Sequence, residues 1–77
     1  MKAKEYNDKA IVAYNKQLFK DAEIYFKEAI KLDPTYGQAY ANLGALYAKF
    51  KHYDKAIELY NEAIKHKPKY AGAYTNL

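Results

Sequence analysis

A chain of 77 residues has room for one domain, with a core worth only a few kcal/mol. Hydrophobic residues make up 51% of it, with only three glycines and two prolines, which excludes a disordered polymer. The net charge of +4 comes from lysine alone, with no arginine for bidentate phosphate or guanine contacts, which argues against nucleic-acid binding.

The lysines also alternate with acids (Lys27-Glu28, Lys31-Asp33, Asp54-Lys55), the pattern of a solvated helix face. The lack of cysteine rules out disulfides and thiolate metal sites, and fits a reducing compartment. No apolar run approaches the ~20 residues of a membrane span. Met1-Lys2-Ala3-Lys4-Glu5 has no secretion-signal stretch, so the expectation is a cytoplasmic protein with no membrane contact.

In chain order, Tyr6, Ala10, Ala13 and Tyr14 step by three and four and predict a helix over about 3–16. Ala22, Ile24, Tyr25, Phe26, Ala29, Ile30 and Leu32 predict a second over 20–32, stopped at Asp33-Pro34. Tyr40, Leu43, Gly44 and Tyr47 mark a third over 37–50. Mid-helix Gly44 costs about 1 kcal/mol against alanine, which points to a packing requirement. A fourth, over 54–66, is expected to start at an Asp54 N-cap and to turn Ala56, Ile57, Leu59, Tyr60, Ala63 and Ile64 inward before Pro68 ends it. A short fifth helix is expected over 71–77. Connections of about four residues make each helix antiparallel to the one before it.

Glu28-Ala29-Ile30-Lys31 returns as Glu62-Ala63-Ile64-Lys65, Ala22 as Ala56, Pro34 as Pro68 and Tyr36 as Tyr70, each 34 positions on. A tandem unit of this length cannot bury its apolar face alone and must stack on a neighbour. The fold class is therefore all-α, a solenoid of helical hairpins.

These residues resemble the tetratricopeptide repeat, a 34-residue helix-turn-helix unit. Tyr40, Leu43, Gly44, Tyr47, Ala56, Tyr60, Ala63 and Pro68 fall on its signature positions. Tyr6, Ala22, Phe26, Ala29 and Pro34 do so in the first unit, which departs from the pattern at Lys9, Ala10 and Ala13. The resemblance implies one right-handed module: repeat one at 3–36, repeat two at 37–70, and the start of a third at 71–77.

It also implies a non-catalytic interaction scaffold that holds a peptide or partner segment in a concave groove lined by the first helix of each repeat. The groove candidates are Lys4, Asn7, Asp8, Ile11, Tyr14 and Asn15, then Gln38, Ala41, Asn42, Ala45, Ala48 and Lys49, then Gly72, Thr75 and Asn76. The family's clamp for carboxylate termini would need cations at Asn7, Gly72 and Asn76. Only Asn42 matches it, so that ligand class is rejected. Asp8, Asn42 and Asn76 instead form a ladder of polar side chains at one groove position, suited to the amides of an extended peptide.

Catalysis finds no support in the residues: there is no cysteine, no serine and no glycine-rich phosphate loop, and the two histidines, His52 and His66, are badly separated for a shared metal. No cofactor is expected. Two other readings stay open. One is self-association, as a homo-oligomer or by an exchanged hairpin, through a C-terminal end without the solvating helix that solenoids need. The other, resting on the +4 charge alone, is electrostatic binding of an acidic partner or nucleic acid.

Overall fold

The computed structural model describes residues 2–66, which form four helices: α1 (Lys2–Asn15), α2 (Phe19–Leu32), α3 (Gly37–Lys49) and α4 (Tyr53–His66). Each bound falls within one residue of the sequence expectation. The expected helix over 71–77, with Gly72, Thr75 and Asn76, lies outside the described residues. Helix α1 packs on α2 and α3 on α4 as hairpins, and α2 against α3 joins the hairpins into an all-α solenoid.

The tight turn inside each hairpin is built in the same way. Gln17 and Lys51 both adopt the left-handed conformation, each with φ of 65°. Leu18 N–H donates to the Ala13 carbonyl at 2.8 Å and Gln17 N–H to Tyr14 at 2.9 Å. In the second hairpin His52 N–H reaches Tyr47 and Lys51 N–H reaches Ala48, both at 2.9 Å. This paired closure satisfies carbonyls that a helix end leaves orphaned. It also corrects one expectation. Lys51 and His52 complete the reversal, so α4 begins at Tyr53 and Asp54 sits inside the first turn. There its charge complements the helix dipole and does not cap it.

Between the hairpins the chain turns on Asp33 and Pro34. Asp33 is extended (φ −144°), as a residue before proline prefers, and its N–H closes α2 on Ala29 at 3.0 Å. Its carboxylate accepts from Thr35 N–H at 3.1 Å and Thr35 Oγ1 at 2.7 Å. Both bonds hold the Asp33 carboxyl below its ordinary pKa. Tyr40 Oη then donates to the Pro34 carbonyl at 2.8 Å, tying α3 back to the turn.

The core is made of small residues beside two large rings. Ala10, Ala22, Ala29, Ala56 and Ala63 are fully buried, and Phe26 and Tyr60 fill the space next to them. Burying a side chain the size of Phe26 contributes about 1.5–3 kcal/mol. The expected role of Gly44 is met in its surroundings: a Cβ there would stand 3.2 Å from the Ala56 carbonyl oxygen and 3.3 Å from Leu59 Cβ and Tyr60 Cδ1. Helical spacing alone is a poorer guide at three isoleucines and leucines. Ile57, expected inward, is 40% exposed, and Ile24 and Leu32 are exposed too. Each sits off the alanine-lined stripe of its helix.

Candidate functional site

Helices α1 and α3 are the first helices of successive hairpins and run parallel, so residues 34 apart fall at matching heights on one face. Ile11, Tyr14, Asn42 and Ala45, all half-buried, come together there over the buried ring of Phe26. They line a cavity of about 290 Å³. Its walls are aliphatic and aromatic, and its one carboxamide is Asn42. Tyr14 is held in place by an edge-on contact with Phe19, with centroids 5.4 Å apart.

The remaining candidates spread to either side. Asn7 is 1% exposed, so it lies behind the groove surface and not on it. Its Oδ1 accepts a hydrogen bond from Asn42 Nδ2 at 3.2 Å. Lys4 and Asp8 are exposed near the start of α1 and pair with each other at 2.9 Å. The Asp8 bond raises the Lys4 pKa, though an exposed i,i+4 pair stabilises little. Gln38 is exposed at the same end of α3, and Asn15 and Lys49 are exposed at the other end. Lys49 Nζ stands 5.4 Å from the Phe19 ring. Ala41 and Ala48 are half-buried. Within the Asp8–Asn42–Asn76 ladder the two described members are engaged differently, Asp8 by a lysine and Asn42 by a buried amide.

Two features of this region go beyond the groove positions counted along the sequence: the ring of Phe26 beneath the cavity and the burial of Asn7. Phe26 belongs to a second helix, so no count along the first helices reaches it. The burial of Asn7 does have a signal: it lies between Ala3 and Ala10 on a stripe of small residues, all three buried.

Elsewhere, Glu23 accepts a 2.5 Å hydrogen bond from Tyr47 Oη and lies 3.4 Å from Lys27 Nζ, linking α2 to α3. The Tyr47 bond lowers the Glu23 pKa, while burial raises that of Tyr47. Among the described residues, no group of three or more His, Asp or Glu side chains could hold a metal ion, and no helix is long and apolar enough to cross a membrane.

The fold is a helical-hairpin repeat, with Ile11 and Tyr14 of α1 and Asn42 and Ala45 of α3 lining one cavity. Residues 3–36 and 37–70 each match a family model of the tetratricopeptide repeat, and the chain belongs to that family. A crystal structure of MamA matches with a TM-score of 0.90 and 31% identity over 96% of this chain, which spans 43% of the MamA chain. No curated protein matches. Repeats of this family generally mediate protein–protein interactions and are typically non-catalytic.

Proposed function

We propose that the protein is a non-catalytic scaffold that binds an extended peptide or partner segment along the face shared by α1 and α3. The observation that carries this reading is the cavity between Ile11, Tyr14, Asn42 and Ala45, which needs both repeats to exist. Selection of binders from a displayed random-peptide library tests it. Ile11→Glu should abolish capture of the selected peptides, and Ile24→Glu, on an exposed face of α2, should leave capture intact. Equal loss in both variants, or no selected peptide at all, would sink the reading.

A second reading, self-association, is favoured by the outer side of α4. Tyr53 and Ile57 are 45% and 40% exposed and stand 34 positions beyond Phe19 and Glu23, the α2 residues that meet Phe50 and Tyr47 at the internal junction. A second copy placed against α4 would cover them. Light scattering at two concentrations about a hundredfold apart should then show a dimer or larger species that Ile57→Glu dissolves.

A further inference from the structure

A second cavity, of about 250 Å³, lies where α2 meets α3 and shares no lining residue with the concave one. Phe19, Leu46, Tyr47 and Phe50 wall it, and Lys20, Glu23 and His52 complete the lining. Rings dominate. Phe19 and Phe50 meet edge-on with centroids 5.2 Å apart, and Tyr47 and His52 do so at 6.2 Å. Walls of this kind present both faces and edges, on which another ring packs with more than its buried area is worth. A cavity of about 150 Å³ already holds benzene, so one aromatic side chain fits. Phe50 is 49% exposed, which leaves this wall open to an arriving group.

Charge narrows the occupant further. The one carboxylate of the lining, Glu23, accepts from Tyr47 Oη and pairs with Lys27. Lys20 belongs to the lining, while Lys49 Nζ stands over Phe19 and Lys55 Nζ over Tyr47, each 5.4 Å from the ring centre. None of these three lysines pairs with a carboxylate among the described residues. A basic ligand would meet like charge here, whereas a carboxylate would find charge-assisted donors.

We propose that this cavity is a second docking site, for a partner segment that presents an aromatic side chain beside a carboxylate. The ring packs on Phe19, Tyr47 and Phe50, and the carboxylate meets Lys20 and Lys55. The site goes beyond the concave-face reading, and either can fail without the other.

Four capped tripeptides test it: acetyl-Glu-Phe-Glu-amide, its Gln-Phe-Gln and Lys-Phe-Lys analogues, and acetyl-Glu-Leu-Glu-amide. Each is titrated into the full chain and followed by NMR at the Leu46 methyls and the His52 ring, with the Ile11 methyls reporting on the concave face. The acidic phenylalanine peptide should shift Leu46 and His52 and leave Ile11 unmoved. The glutamine analogue should bind about threefold weaker, a gap that closes near 1 M salt, where screening acts within about 3 Å. The leucine peptide should bind about fivefold weaker, and the lysine analogue should cause no shift. Phe50→Ala should weaken the acidic peptide about tenfold, and Ile11→Glu should leave its binding unchanged. If Phe50→Ala fails to fold, the double variant Lys20→Gln with Lys55→Gln, both exposed, keeps the test open: it should bring the acidic peptide down to the affinity of its glutamine analogue.

No shift at Leu46 with any probe, leucine or lysine peptides binding as well as the acidic phenylalanine one, binding that survives Phe50→Ala, or an acidic preference that survives the double lysine variant would overturn the inference. Shifts at Ile11 in place of Leu46 would also overturn it, and would leave the concave-face reading standing.

Discussion

Helix α3 buries Leu43 and Leu46 where it meets α2, while α1 carries Lys9 and Val12 at the same two positions and leaves both exposed. Lys9 folds back over the Tyr6 ring at 5.3 Å. The second helices carry the same alanines, Ala22 and Ala29 against Ala56 and Ala63, and both hairpins make the same left-handed turn, so the contrast points to what a neighbour does. Helix α3 has a partner on two sides and must be apolar on both. Helix α1 packs mainly on α2, with the Asn7–Asn42 bond to α3, and its outer side carries charge. An apolar stripe in a repeat protein thus reports the number of neighbours as well as the helical period.

The sharpest break in the comparison is at the large ring of each hairpin. Phe26 and Tyr60 occupy equivalent positions, 2% and 1% exposed, but Phe26 has the further task of underlying the concave cavity. Phe26→Ala should cost about 3–5 kcal/mol, enough to melt a chain of this size, as a loss of the cooperative transition in thermal circular dichroism would show. Tyr60 differs by a hydroxyl that is buried with no hydrogen-bond partner among the described residues. Burial, with Tyr14 nearby, raises its pKa. Tyr60→Phe makes the second hairpin like the first and should raise stability by about 1–2 kcal/mol in urea unfolding. A loss would mean that the hydroxyl is bonded in solution.

The next contrast is Ala10 against Gly44. Gly44→Ala gains about 1 kcal/mol in helix propensity. The new methyl would meet a backbone carbonyl at 3.2 Å and two side-chain carbons at 3.3 Å, and overpacking costs about 1–3 kcal/mol. We expect a net loss of about 1 kcal/mol. An increase in stability would show that α3 and α4 can part as α1 and α2 do around Ala10.

Much of this is legible in the amino-acid sequence. The 34-residue offset sets the hairpins, their order and their small-residue contacts, because a repeat copies its packing constraints along with its residues. Positions where the copies differ are harder to read. Ile57 satisfies a helical count, yet its counterpart is Glu23, a carboxylate that faces the next hairpin. Aligning the two marks the site as a junction surface rather than core. Asn7 falls in the groove by its spacing, and only the alanines three and four residues away from it betray its burial. The cavity itself joins side chains from three helices, which no count along one helix can assemble.

Acid titration probes the junction between the hairpins. The Tyr47 bond depresses the Glu23 pKa below its ordinary 4.5. A carboxylate with a lowered folded pKa stabilises fully above its unfolded value and loses that contribution as pH falls from about 4.5 through the folded value. Tyr47→Phe should therefore cost up to about 1 kcal/mol at neutral pH, the group being partly solvated, and the deficit against the parent chain should shrink below that window. Asp33 titrates in the same direction in both proteins and cancels in the difference. A deficit independent of pH would assign the loss to packing of the ring.

The smallest expected effect lies where the hairpins agree. Gln17 and Lys51 are the described non-glycine residues with positive φ, and each closes the first helix of its repeat. A side chain in that conformation costs roughly 1–2 kcal/mol. Glycine avoids this cost but loses more entropy on folding, about 0.5–1 kcal/mol. The difference predicts a gain of about 0.5–1 kcal/mol for Gln17→Gly and the same for Lys51→Gly. The turns are separated by a full repeat and share no contact, so the gains should add in the double variant. Urea unfolding of the two singles and the double checks both points. A double variant that gains markedly more than the sum would mean that tightening one turn is felt across the α2–α3 junction, and that the hairpins fold as one unit rather than as two stacked ones.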